Sequence, residues 1–190
     1  MRIITGTARG CRLKTPRGEA TRPTADRIKE SLFNILGRRI EEAHVLDLFA
    51  GTGALGLEAL SRGAASALFV DEKTASLIEK NAVKTRLLER AEIVRADVLC
   101  ILSRLGKQGR SFDLIFCDPP YRRGLWEKAL SSVDREGLLA PDGCMIVEHG
   151  TEEEELPILE DLHCVRDESY GRTTRLRFFA SGRGRGGEAR

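Results

Sequence analysis

Apolar residues along the chain follow two different periods. From Thr24 they recur at Ile28, Leu32, Ile35 and Leu36, the three- and four-residue spacing of one helix face, which predicts an amphipathic helix over 24–36. Beyond Ile40, short apolar runs alternate with stretches of helical period. They predict strands at 45–49, 67–70, 92–95, 112–117 and 145–147, and helices at 54–61, 73–87, 98–105 and 125–133. Alternation of this kind implies a parallel sheet with helices on both faces. Two more strands, at 163–166 and 174–179, follow with no long helix between them, so they are expected as an antiparallel hairpin at the sheet edge. Ahead of the first helix, 2–5 and 11–14 read as a short hairpin joined by a turn containing Gly6 and Gly10, then a Pro/Gly stretch over 16–23. The acidic run Glu152 to Glu155 reads as a solvated loop or helix start. The Gly/Arg-rich end, 181–190, reads as disordered in isolation. The expected organisation is a hairpin-and-helix extension over 1–39, a main domain over 40–180 and a tail over 181–190.

Composition narrows the class. A chain of 190 residues suits one ordinary domain with a small appendage. No apolar run approaches the roughly 18 residues that span a bilayer, and the first ten residues lack a signal-peptide stretch, so no membrane and a cytoplasmic location are expected. The five cysteines, Cys11, Cys100, Cys117, Cys144 and Cys164, are odd in number and form no Cys-x-x-Cys pair. They are expected to be reduced and structural, with Cys100, Cys117 and Cys144 acting as small hydrophobes, and no metal site is expected. The net charge of +2 hides an asymmetry. Residues 1–39 carry 10 basic and 3 acidic side chains, residues 40–170 carry 15 and 25, and residues 171–190 carry 6 and 1. Basic ends around an acidic middle suit contact with a polyanion, for which nucleic acid is the better guess.

The first predicted strand runs into Asp47, Leu48, Phe49, Ala50, Gly51, Thr52, Gly53, Ala54, Leu55, Gly56. Gly51, Gly53 and Gly56 have the spacing of a nucleotide-binding loop, and Asp71 stands 20 positions after Gly51 at the end of the second strand, where a ribose-binding acid belongs. Glycines let a backbone approach a ligand closely, and a carboxylate accepts ribose hydroxyls. Asp47, before the loop, would repel a pyrophosphate. It suits instead the ammonium of S-adenosylmethionine or the loop's own amides. Asp97, after the third strand, can bond an adenine amine or cap the next helix.

The fourth strand ends at Asp118, Pro119, Pro120, Tyr121. Each residue before a proline is driven out of the helical region and each proline fixes its own φ, so Asp118 and the Pro119 carbonyl are held rigidly at the sheet's carboxyl edge. The exocyclic amine of a base is a poor nucleophile because its lone pair is delocalised. Two acceptors on its two N–H groups can present that lone pair to a methyl group, and a fixed carboxylate stabilises the charge that develops. Tyr121 offers a stacking face to an unpaired or flipped-out base, or packs as a loop aromatic on Trp126. The basic candidates for RNA contact are Arg22, Arg27 and Lys29, with Arg122 and Arg123 directly after the tetrad.

Together these segments resemble the bacterial RsmD-type methyltransferases, which modify the N2 amine of a guanine in small-subunit ribosomal RNA. The likeness spans nearly all of 1–180. It is carried by Arg9 and Gly10; by Arg22, Pro23, Thr24, Asp26 and Arg27; by Leu32, Phe33 and Asn34; by the run from Asp47 to Arg62; and by the Asp118 tetrad. It implies a class I methyltransferase fold, α/β and Rossmann-like, with seven strands, the last antiparallel. It implies S-adenosylmethionine held by Asp47, Phe49, Ala50, Gly51, Gly53, Asp71 and Asp97, and catalysis at Asp118, Pro119, Pro120 and Tyr121. It further implies RNA contacts at Arg9, Arg22, Thr24, Arg27, Lys29, Arg122 and Arg123. The implied partner is 16S ribosomal RNA within a small-subunit assembly particle, met by a monomer. Ala8 stands where the family often has an aromatic residue, and a DNA adenine-N6 methyltransferase or a non-catalytic RNA-binding module are the alternatives.

Overall fold

The computed structural model describes residues 1–16, 23–153 and 155–182. The elements run α1 (Pro23–Leu36), β1 (His44–Leu48), α2 (Ala54–Ser61), β2 (Ser66–Val70), α3 (Ala75–Thr85), β3 (Ala91–Val94), α4 (Val98–Lys107), β4 (Phe112–Cys117), α5 (Leu125–Arg135), β5 (Leu139–Gly150), β6 (Leu162–Tyr170) and β7 (Thr174–Ser181). The seven strands form one sheet in the order β3-β2-β1-β4-β5-β7-β6. Two compact units divide the chain, Met1–Ala96 and Asp97–Arg190.

In the first unit β1, β2 and β3 are parallel neighbours, with Leu48 level with Val70 and Val70 level with Val94. Val45, Leu46, Leu48, Leu68, Phe69 and Val70 are buried, the near-continuous apolar pattern of strands covered on both faces. The expected N-terminal hairpin is reduced to one bridge, Arg2 with Arg12. Around it Ile3 N donates to the Cys11 carbonyl at 2.9 Å and Leu13 N to the Met1 carbonyl at 3.1 Å, and the rest of the segment's backbone bonds to α2. The amides of Ile4 and Thr5 donate to the Glu58 carboxylate at 2.8 and 3.0 Å, the Ala8 amide donates to Ser61 Oγ at 2.9 Å, and the Thr7 amide donates to the Ser61 carbonyl at 2.8 Å. Gly6 makes this approach possible. Its φ is +86°, and a Cβ there would lie 1.8 Å from the Ser61 carbonyl oxygen.

In the second unit β4 and β5 are parallel, whereas β7 runs antiparallel to β5 and to β6 and lies between them. This is the antiparallel last strand the sequence implied. β5 begins earlier than 145 because a bulge absorbs a turn-like stretch. Phe112 pairs with Leu139 and Leu114 with Cys144, so Ala140 to Gly143, which read locally as a loop, lie within the strand. Asp134, at the end of α5, accepts the amides of Glu160, Asp161 and Leu162 at 2.6, 3.0 and 2.8 Å and so fixes where β6 starts. Cys117 and Cys144 are buried as expected, but Cys100 is exposed. The stripe of α4 is Val98, Ile101, Leu102 and Leu105, and Cys100 falls outside it.

Candidate functional site

The glycine loop of the first unit is wound by alternating left-handed residues: Phe49 at φ +58°, Gly51 at +56° and Gly53 at +76°. Phe49 has a Cβ and is unusual there. Two bonds close the turn, Ala50 N to the Val70 carbonyl at 3.1 Å and Gly53 N to the Ala50 carbonyl at 2.7 Å. The three glycines differ in purpose. A Cβ on Gly56 would lie 2.3 Å from Phe69 Cε1, and one on Gly53 would lie 3.1 Å from Ile78 Cγ2, so both are set by close packing of α2. A Cβ on Gly51 would meet only the Phe49 carbonyl oxygen, at 3.8 Å. Gly51 is therefore the position at which bare backbone faces open space.

Two carboxylates brace this loop. Asp47 is 2% exposed and accepts the Gly56 amide at 2.9 Å. Burial pushes its carboxyl up to about 7, against the pull of that amide, and the charge of Asp71 adds to the rise. The bond to the loop backbone, one of its two sequence readings, is present. Asp71 accepts Gly51 N on Oδ2 at 3.0 Å, and Lys73 N and Thr74 N on Oδ1, each at 2.8 Å. Partial burial acts to raise its carboxyl, but the three amides outweigh it and hold it below the usual carboxylate range. With one amide on Oδ2, that oxygen retains room to accept a hydroxyl. An open Gly51 beside an anchored carboxylate fits an adenosyl ligand. Asp97 is the N-cap of α4, accepting Cys100 N at 3.0 Å, so its capping reading is realised.

In the second unit the tetrad follows β4. Pro119 is buried, Asp118 is exposed and Tyr121 is 36% exposed. The Tyr121 hydroxyl donates to Glu148 Oε1 at 2.7 Å and lies 3.3 Å from Thr174 Oγ1. Its ring borders Gly150, where a Cβ would be 3.7 Å from Tyr121 Cδ2. Burial, then the charge of Glu148, and more weakly that of Asp118, raise the phenol well above its ordinary value. Trp126, the alternative packing partner for Tyr121, is stacked on His149 at 4.6 Å between ring centroids.

The basic candidates separate. Arg9, Arg27 and Arg123 are exposed. Arg122, at φ +63°, pairs with Glu152 at 3.1 Å and donates its amide to Glu153, so the acidic run serves as its counterion. Lys29 is a correction: it is 4% exposed, 3.1 Å from Glu58, and donates to the Arg2 carbonyl. A solvated basic face cannot include it, and burial draws its ammonium below the ordinary lysine value despite Glu58. Arg22, the side chain of Thr24 and the tail beyond 182 lie outside the described residues.

Sequence reasoning missed the groups that hold the N-terminal segment. Glu58 is fully buried and also receives Arg62 Nε at 2.8 Å. Asn81, equally buried, accepts Lys14 N at 2.7 Å and donates to the carbonyls of Lys14 and Thr52 at 3.0 and 2.9 Å. A signal existed for Glu58. It is the one charge in Ala-Leu-Gly-Leu-Glu-Ala-Leu-Ser, a helix apolar on every side, where a lone carboxylate must be paired.

Sheet order and glycine cradle together define the class I fold of S-adenosylmethionine-dependent methyltransferases. A solved S-adenosylmethionine-dependent methyltransferase from Agrobacterium tumefaciens shares the fold at a TM-score of 0.60 and 18% identity, over 85% of this chain and 63% of that one. Within the class, the chain belongs to the family of ribosomal RNA small subunit methyltransferase D. The family model described as Conserved hypothetical protein 95 matches residues 1–179. Ribosomal RNA small subunit methyltransferase D of Escherichia coli (strain K12) is 40% identical over 152 residues, 80% of this chain and 76% of that protein. The solved structure of yhhF from Escherichia coli superposes at a TM-score of 0.82 with 35% identity, covering 95% of this chain and 97% of the other.

Proposed function

We propose that this methyltransferase modifies the N2 amine of a guanine in small-subunit ribosomal RNA by direct transfer to a flipped-out base. The observation that carries the reading is the exposed Asp118, fixed by two prolines beside a half-exposed Tyr121 at the carboxyl end of β4. S-adenosylmethionine supplies a methyl activated by its sulfonium charge. Gly51 and Asp71 take the adenosyl part, Asp71 accepting a ribose hydroxyl on Oδ2, while Asp47 stiffens the loop from below through Gly56. Asp118 accepts one N–H of the target amine and the Pro119 carbonyl the other, which turns the lone pair outward. As the N–C bond forms and the S–C bond breaks, positive charge arrives on the amine, and Asp118 stabilises it in place. The surplus proton passes to Asp118 and from there to solvent, which the exposed carboxylate reaches. No covalent nucleophile is needed, so the cysteines take no part.

Family membership supports ribosomal RNA as substrate, since the Escherichia coli relative is named for it. Arg9 and Arg27 on the N-terminal segment, and Arg123 beside the tetrad, contact phosphates in this reading, with residues 1–39 serving as the RNA-contacting extension. The enzyme works in the cytoplasm as a monomer on an assembling small subunit.

The test is to incubate the purified protein with labelled S-adenosylmethionine and either small-subunit particles, naked ribosomal RNA or DNA, then digest and identify the labelled nucleoside. Label in N2-methylguanosine is expected, with particles preferred over naked RNA. Label in N6-methyladenine of DNA, or none in any substrate, overturns the proposal.

A further inference from the structure

The Asp118 tetrad has a second acid beside it. Cys117, the last residue of β4, and Val147 of β5 are paired in register; Asp118 follows the first and Glu148, still within β5, the second. The two positions are therefore neighbours at the carboxyl end of β4. Tyr121 feels the negative charge of both. Among the described residues, the partner that holds Glu148 is the Tyr121 hydroxyl, 2.7 Å from Oε1. Partial burial raises its carboxyl above the usual range, against the pull of the Tyr121 hydroxyl. A half-buried carboxylate gains from each donor that reaches it. Tyr121 satisfies one oxygen, and Oε2 is left for another donor.

The edge of the proposed substrate supplies one. Next to its N2 amine, guanine carries N1–H, so the two positions present donors side by side. Adenine, next to its N6 amine, carries N1 as an acceptor. An acceptor beside Asp118 therefore suits the first base and opposes the second. We infer that Glu148 is the specificity residue of the site, accepting N1–H of the guanine whose N2 amine is held by Asp118. The inference rests on the guanine-N2 reading above and adds to it how guanine is chosen. The Tyr121 hydroxyl occupies Oε1, which leaves Oε2 to the base.

A particle reconstituted with either guanine or 2-aminopurine at the target position tests this. 2-Aminopurine keeps the C2 amine but carries a bare N1 acceptor. The readout is the ratio of kcat/KM for guanine over 2-aminopurine, which is internal to each variant and insensitive to the fraction folded. Wild-type protein is expected to favour guanine. Glu148→Gln is expected to lower the ratio about tenfold or more, because the new amide N–H can donate to N1 of 2-aminopurine. Tyr121→Phe keeps the ring and removes the hydroxyl, and is expected to move the ratio far less. An unchanged ratio in Glu148→Gln overturns the inference, as does an equal collapse in Tyr121→Phe, which would make Glu148 a mere anchor for the phenol. A wild-type enzyme that leaves guanine N2 unmethylated overturns the parent reading and this inference with it, an outcome distinct from methylation without the predicted change in ratio.

Discussion

The glycine cradle after β1 and the tetrad after β4 each occupy the carboxyl end of a parallel strand, but they are secured by opposite means. In the cradle, side chains do the holding: Asp47 grips Gly56, Asp71 grips Gly51, and Asn81 grips the Thr52 carbonyl. At the tetrad two proline rings fix the backbone covalently, the Tyr121 hydroxyl is tied to Glu148, and Asp118 itself is exposed. In the function proposed above, the difference matches what each would receive. A cofactor of constant shape can be met by a pre-built, hydrogen-bonded cradle. A base arriving on a large RNA needs an open edge, and prolines fix a backbone without walling it in.

The largest expected effect tests how tightly the first region is bound together. Glu58→Ala leaves the Lys29 ammonium buried without its carboxylate, along with two freed backbone amides, and should lower the unfolding free energy by about 3–5 kcal/mol in denaturant titrations. A loss under 1 kcal/mol would mean that water reaches Lys29. Next comes the separation between the two regions. Asp118→Ala should reduce methyl transfer on the order of 10²- to 10³-fold while the dissociation constant for S-adenosylmethionine stays put. Near-normal turnover would remove Asp118 from the chemistry, and a parallel loss of cofactor affinity would show the regions to be less independent than they look.

Asp71→Ala is the converse experiment. It removes the acceptor proposed for ribose and the brace on Gly51, so cofactor affinity measured by calorimetry should fall about tenfold. Unaltered affinity would point the ribose elsewhere. The smallest effect is a slope with pH. The Asp47 carboxyl is raised in the fold from 3.8 to about 7. Its contribution to stability is therefore complete below about pH 4 and is lost as pH climbs through 7. Asp47→Asn still accepts the Gly56 amide but cannot ionise, so its unfolding free energy should decline less than the wild type's between pH 5 and 8. Identical slopes would show that Asp47 does not titrate in that range.

Periodicity made the fold legible, because buried parallel strands and amphipathic helices each impose their spacing on the chain. The tetrad was legible for another reason: two successive prolines after a strand dictate geometry from covalent structure alone. Lys29 and Glu58 were misread or missed because their roles depend on each other. A lysine in a basic N-terminal segment looks solvated until the carboxylate 29 positions away is known to be its neighbour. Asn81 was hidden similarly, since its partners at 14 and 52 are remote in sequence. The ties of the hairpin to α2 were hidden for the same reason: the Ile4 and Thr5 amides bond an acid more than 50 positions away.

Gly6 and Glu58 also bear on how this protein can change over evolutionary time. A terminal extension that merely leaned on its domain could be shed, swapped or lengthened by a single genetic event. Here the segment threads its backbone within van der Waals range of Ser61 at a position where any side chain would collide, and it satisfies a charge sealed inside the catalytic body. Recombination that put any other residue at Gly6 would force the segment off Ser61, so the N-terminal segment and α2 are inheritable only as one piece.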